Sequence, residues 1–153
     1  MNRYVVMVSI ALAALPSSGA AAQTANDLVG TWTVDSAGGF GVNPKGYVMF
    51  DANGHFGALL IRSDLPKYAS NSRTQGTAEE YKATVQGMLA YYGTYSVNGK
   101  DVNLHIEGSS FPNWNGTDQK RTNLSIIGDE MRWTQPTTSG SRQPAETLWK
   151  RAR

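Results

Sequence analysis

The chain has 153 residues, a formal net charge of +2 and no cysteine. That length fits one domain with a modest core, and the missing cysteine excludes both a disulfide scaffold and thiolate zinc. No Lys/Arg cluster is longer than the tail Lys150-Arg151-Ala152-Arg153, so the charge pattern gives no footprint for nucleic acid.

Residues 1–22 read as a secretory signal peptide. Asn2 and Arg3 precede an apolar run from Tyr4 to Leu15, Pro16 to Gly19 breaks it, and Ala20-Ala21-Ala22 offers an Ala-x-Ala cleavage site before Gln23. The run is short for a bilayer span and no second one follows. The expected product is a periplasmic or secreted domain, residues 23–153, with no membrane span in the mature chain.

Alternation marks the first strand, Asp27 to Asp35, with Leu28, Gly30, Trp32 and Val34 on one face. Asn43-Pro44-Lys45-Gly46 is a turn. Tyr47 to Asp51 is the second strand, and Asn53-Gly54 folds it back into the third, His55 to Arg62. Its core, Gly57-Ala58-Leu59-Leu60-Ile61, is apolar on both faces, which asks for cover on the outside. Ser63 to Gly76 is a polar excursion. Thr77-Ala78-Glu79-Glu80 is a capping box, and Tyr81, Val85, Met88, Leu89 and Tyr92 continue at helical spacing to a stop at Gly93. This predicts one helix over Thr77–Tyr92. Thr94 to Val97, Val102 to Ser109, Thr117 to Ile127, Met131 to Thr134 and Thr147 to Arg151 complete the strands, with Asn98-Gly99 and Gly128-Asp129 as turns. Eight short strands and one α-helix between strands 3 and 4 predict an all-β fold. The architecture is an eight-stranded antiparallel barrel, a size able to hold one small ligand.

Several segments carry a family resemblance. Leu28-Val29-Gly30-Thr31-Trp32, Asn43-Pro44-Lys45-Gly46-Tyr47, Tyr92-Gly93-Thr94-Tyr95 and His105-Ile106-Glu107-Gly108-Ser109 resemble the lipocalin-like domain family of small bacterial and fungal β-barrel proteins. So do Phe111-Pro112-Asn113-Trp114-Asn115-Gly116-Thr117, the most specific stretch, and the closing Leu148-Trp149-Lys150-Arg151. The resemblance implies a lipocalin-like barrel whose cavity takes a small hydrophobic or amphipathic molecule. The chain departs from the usual pattern between Thr122 and Gly128, where the sixth strand is a residue or two longer.

The densest set of chemically able groups lies between Asn103 and Arg121. His105 and Glu107 are two apart on a strand and share a face. A hairpin with Ser109 opposite Thr117 sets Glu107 against Gln119 and His105 against Arg121. The row Asn103, His105, Glu107, Gln119, Arg121 then either faces water, as alternation alone suggests, or turns inward, as the family pattern favours; the inward orientation is the expectation tested below. Inward, Arg121 and Arg62 could hold a carboxylate and His105 could exchange a proton near neutral pH. The candidate ligand-binding residues are Arg62, Tyr92, His105, Glu107, Trp114 and Arg121, with Trp114 at the cavity lip. The two histidines, His55 and His105, lack a third ligand at a recognisable spacing, so no metal and no cofactor is expected. Ser109 and His105 stand too far apart on an extended chain to form a triad. The expected partner is a small lipophilic or amphipathic ligand. Whether a reaction is catalysed stays open. The alternative is an isomerase or cyclase using His105 and Glu107 for proton transfer.

Overall fold

Eight strands follow one another in sequence order around a closed antiparallel barrel. In the computed structural model, residues 23–137 and 143–153 are described, so the predicted signal peptide lies outside the described residues. The strands are β1 (Gly30–Ala37), β2 (Lys45–Phe50), β3 (His55–Ile61), β4 (Met88–Asn98), β5 (Asp101–Ser109), β6 (Thr117–Ile127), β7 (Glu130–Gln135) and β8 (Ala145–Arg151). A short helix α1 (Ala25–Leu28) precedes β1, α2 (Ala78–Gly87) lies between β3 and β4, and a 3₁₀ turn (Pro112–Trp114) joins β5 to β6. The core is the barrel interior, where one face of each strand is buried and the other meets solvent.

Because successive strands are antiparallel, the connections alternate between the two barrel ends. One end carries α1 and the short turns after β2, β4 and β6. It is plugged. Leu28 is fully buried, its carbonyl accepts the Trp32 indole N–H at 2.8 Å, and the Arg151 guanidinium lies 4.0 Å from the centre of the Trp32 ring. The Tyr95 hydroxyl donates to the Asp51 carbonyl at 2.8 Å beneath the β2–β3 turn. Burial raises the pKa of that phenol. The opposite end carries the longer connections after β1, β3, β5 and β7.

Two expectations are corrected here. The helix stops at Gly87, and Met88 to Tyr92 belong to β4, paired with β3 from Met88↔Ile61 to Tyr92↔Gly57. The Gly87 carbonyl accepts the Arg62 amide at 2.8 Å, so the turn into β4 is fixed one residue before the apolar run begins. Met88, Leu89 and Tyr92 fit a helical stripe on paper, but strand alternation buries Tyr91 and Tyr95 instead. The predicted docking stripe is therefore not a unit: Val85 of α2 is exposed. The N-terminus of α2 forms as the capping box requires, with Thr77 Oγ1 accepting the Glu80 amide at 3.2 Å. The second correction is at the start of the domain. Asp27 and Leu28 are helical rather than extended, and Asp27 accepts the Thr24 amide at 2.7 Å.

Two irregularities set which residues face inward. Between β4 and β5 the register jumps from Tyr92↔Gly108 to Gly93↔Ile106, leaving Glu107 without an opposite residue. Gly93 is required there, because a Cβ would overlap the His105 carbonyl oxygen. Between β6 and β7 the register breaks between Thr122 and Ser125, and Asn123 takes a positive φ of 56°. That break falls within the Thr122–Gly128 stretch, where the resemblance suggested a longer sixth strand. It allows Arg121 and Leu124, three residues apart, both to be buried.

Candidate functional site

The β5–β6 hairpin decides the chemistry of the interior. The observed partners are Val102↔Arg121, Leu104↔Gln119 and Ile106↔Thr117. Thr117 thus lies opposite Ile106 rather than Ser109, a displacement of three residues from the expected pairing. An odd displacement exchanges the faces of one strand relative to the other. His105 and Glu107 are therefore exposed on the outer wall, while Leu104 and Ile106 fill the core. The inward orientation expected for His105 and Glu107 is overturned, and the reason is energetic as well as geometric. Turning them in would carry three apolar side chains, Val102, Leu104 and Ile106, out to solvent.

Arg121 goes the other way. It is 0% exposed, opposite the buried Val102. Its Nη1 donates to the Lys120 carbonyl at 3.1 Å and its Nη2 to Gln119 Oε1 at 3.0 Å. Its Nε–H has no partner. All twelve acidic residues of the chain are among the described residues, and none is buried. The guanidinium is thus a buried cation held by two neutral acceptors. A second buried donor, the Trp149 Nε1–H, is also unpartnered, in a side chain 1% exposed.

From Trp149 runs a chain of aromatic ring contacts. Trp149 meets Trp133 at 5.6 Å between ring centres, Trp133 meets Phe50 at 6.2 Å, and Phe50 meets Phe56 at 6.2 Å. Phe56 meets Tyr91 at 5.7 Å, Tyr91 meets Trp114 at 5.5 Å, and Trp114 meets Phe111 at 6.0 Å. The series leads from the interior to the β5–β6 loop at the long-loop end, where Phe111 is exposed. Several hydrogen bonds tie that loop down. The Gly116 amide donates to the Ile106 carbonyl at 2.7 Å, the Phe111 amide to Ser109 Oγ at 3.0 Å, and the Thr117 hydroxyl to the Trp114 carbonyl at 2.7 Å.

The six candidate residues do not form one group. Arg121 is inside, and Trp114 is buried at the long-loop end against Tyr91. His105 is on the outer wall with its Nδ1 2.7 Å from Asp118 Oδ1. It borders an open depression of about 520 Å³ shared with Thr94, Ser96, Asn103 and Lys120. Tyr92 is also outside and 56% exposed, in a more apolar depression of about 500 Å³ with Tyr47, Met49, Leu59 and Ala90. The outward face of β3 at Gly57 and Leu59 is thus the floor of an open depression flanked by exposed side chains, not the covered face that its apolar sequence suggested. Arg62 lies just past β3 in a two-pronged ion pair with Asp64, Nε at 2.8 Å and Nη2 at 2.6 Å. The Arg62 guanidinium holds the Asp64 carboxyl below its ordinary pKa. Arg62 and Arg121 therefore do not converge. Sequence reasoning named Trp149 within the closing segment of the family resemblance and missed its unpaired N–H. It also missed the Phe50–Phe56–Tyr91 series, although alternation along each strand puts those rings on the inward face.

No helix among the described residues is long and apolar enough to cross a membrane. A 4'-hydroxy-3'-methoxypropiophenone carrier protein of Aspergillus oryzae is 30% identical over 105 residues, covering 61% of this chain and 94% of that protein. Among solved structures, an uncharacterized protein from Bacteroides eggerthii aligns over 82% of this chain and 99% of its own, at 13% identity and a TM-score of 0.44. A variant of the fluorescent protein UnaG aligns over 84% and 98%, at 12% identity and a TM-score of 0.39. The lipocalin-like domain matches residues 28–152, nearly the whole described barrel, and the chain belongs to that family.

Proposed function

We propose that the chain is an exported carrier that holds one small lipophilic or amphipathic molecule within the barrel. The observation that carries this reading is the aromatic series from Phe111 and Trp114 through Tyr91 and Phe56 to Trp149. Aromatic faces and edges give a planar apolar ligand large contact area at little entropic cost. The carrier of Aspergillus oryzae supports the same class of function. The proton-transfer alternative loses its footing, because His105 and Glu107 are on the outer wall, where water competes for every proton. Export rests on the layout of residues 1–22 alone. An intact mass beginning at Gln23 supports it, and a retained Met1 in the exported protein counts against it.

Tryptophan fluorescence tests the carrier reading. Titration of the mature chain with 4'-hydroxy-3'-methoxypropiophenone gives a saturable one-to-one change, weakened in Tyr91→Ala and untouched in His105→Ala. The absence of saturable binding argues against the assignment. Binding that disappears in His105→Ala moves the site to the outer wall and reopens the enzyme alternative.

A further inference from the structure

We infer that the carried molecule bears a carboxylate, and that Arg121 Nε binds that carboxylate inside the barrel. The inference rests on the carrier reading and adds the chemistry of the ligand's head.

Among the described residues, the buried side-chain polar atoms left unmet are both donors, Arg121 Nε–H and Trp149 Nε1–H. Neither is an acceptor, so the complementary ligand presents acceptors. One of the two donors is also a full positive charge, since a guanidinium stays protonated in any protein environment. Its two hydrogen-bonded partners, the Lys120 carbonyl and Gln119 Oε1, are neutral. Acidic side chains of the outer wall have their own partners: Asp101 pairs with Lys120 at 3.2 Å, Asp35 with Lys150 at 2.7 Å, and Asp118 is hydrogen-bonded to His105 at 2.7 Å. No acidic side chain of this protein is buried to neutralise it. An anionic oxygen from the ligand meets the charge and the orphan Nε–H together, in the planar geometry at which guanidinium and carboxylate pair best. Gln119 and the Lys120 carbonyl hold the two Nη atoms, so Nε is the donor left to pair; because Arg121 is fully buried, the carboxylate reaches it only by displacing the side chains packed over it. The aromatic series from Trp149 to Trp114 then receives the apolar remainder of the molecule.

The test uses two probes with one ring and different heads, 4-hydroxy-3-methoxycinnamate and its methyl ester. At neutral pH the wild-type mature chain binds the acid about ten- to hundredfold tighter than the ester, the worth of a charged hydrogen bond in a buried site. The preference disappears as pH falls through the acid's own pKa. Arg121→Met abolishes the preference, leaves ester binding within about threefold, and keeps or raises the thermal midpoint, because an unpaired buried charge is replaced by an apolar side chain of similar length. Equal binding of acid and ester by the wild type, or tighter binding of the ester, overturns the carboxylate while leaving the carrier reading intact. Loss of both probes together with a lowered midpoint in Arg121→Met makes Arg121 a structural residue and also overturns it. Failure of the wild type to bind either probe overturns the carrier reading and this inference with it. The wild-type comparison is decisive even if the variant does not fold.

Discussion

Arg151 offers the sharpest test of how the plugged end is built. Its Nη1 donates to the Val29 carbonyl at 3.1 Å and its Nη2 to the Asp27 carbonyl at 3.2 Å. The same guanidinium lies 4.0 Å from the Trp32 ring centre. Trp32 is fully buried and donates in turn to the Leu28 carbonyl. One side chain thus joins the last strand, the α1 carbonyls and the largest ring at this end. Hydrogen bonds with one charged partner contribute about 1.5–3 kcal/mol each when short and sheltered. These two are long and partly exposed, so about 1 kcal/mol each is the better figure. The contact with the ring adds about 0.5–2 kcal/mol. Arg151→Ala therefore costs about 2–4 kcal/mol, a large share of the stability of a domain of this size.

The conservative change separates charge from geometry. Arg151→Lys keeps the charge, but one ammonium cannot reach two carbonyls and lie flat on an indole at once. It is expected to recover less than about half of the loss. Urea melts of the mature chain followed by tryptophan fluorescence measure both variants, with an unchanged slope expected if only stability moves. A cost below about 0.5 kcal/mol for Arg151→Ala, the range of an ordinary surface site, refutes the reasoning. So does a lysine variant as stable as wild type.

Two further outcomes follow from the same structure. Leu104→Ala, at a side chain 2% exposed, costs about 2–5 kcal/mol as a core truncation, whereas Glu107→Ala, exposed at the β-bulge, costs under about 0.5 kcal/mol; paired urea melts in the reverse order would place the hairpin the other way round. Glu80 accepts the backbone amides of Ala69 and Thr77, both at 2.8 Å, and these bonds hold its carboxyl below its ordinary pKa. A depressed folded-state pKa means the stabilisation is present above the unfolded pKa and is lost as pH falls through the folded one. Protection factors of residues 68–87, exchange rates corrected for their intrinsic base catalysis, should therefore fall on acidification in the wild type, and Glu80→Gln should flatten that dependence; identical acid profiles would remove Glu80 from the account.

The strand inventory was legible because its signals are local. Asn53-Gly54 and Asn98-Gly99 mark hairpin turns by themselves, and β6 was read with its observed ends, Thr117–Ile127. The C-terminal end of α2 was not legible, because Met88, Leu89 and Tyr92 fit a 3.6-residue period while Leu89, Tyr91, Gly93 and Tyr95 also fit a period of two. Pairing with β3 settled the choice, and that is a long-range interaction. The orientation of His105 failed for a related reason. It depended on how many residues the β5–β6 connection consumes. That number is set by the 3₁₀ turn at Pro112–Trp114 and by the Gly116-to-Ile106 hydrogen bond, not by alternation within either strand. Arg121 was named from the sequence, but with the wrong company. It was expected beside His105 and Glu107, and it lies beside Val102 and Gln119.

That change of company alters what the interior can do. A His–Glu–Arg cluster would neutralise itself and could move protons; a lone buried guanidinium can do neither. The arrangement around it is specific. With strict alternation along β6, an inward Arg121 would bring Asn123 and Ser125 inward and leave Leu124 outside. The irregularity at Asn123 instead buries Leu124 after Arg121, so the strand places one cation in the core and then resumes an apolar face. Lys120 and Asp118, the outward neighbours on the same strand, have acidic and basic partners on the barrel wall. The buried charge is therefore not a consequence of a shortage of acids, since twelve are available and all remain at the surface. A fold that isolates a cation in this way is expected to be less stable than one with methionine at the same position, and on the proposed carboxylate binding the difference is recovered when the anionic ligand enters. Stability and binding should then move in opposite directions at residue 121 and together at core positions such as Leu104. A melting series on both sites, with and without 4-hydroxy-3-methoxycinnamate, distinguishes the two patterns. Parallel losses of stability and binding at both positions would mean that Arg121 is ordinary core.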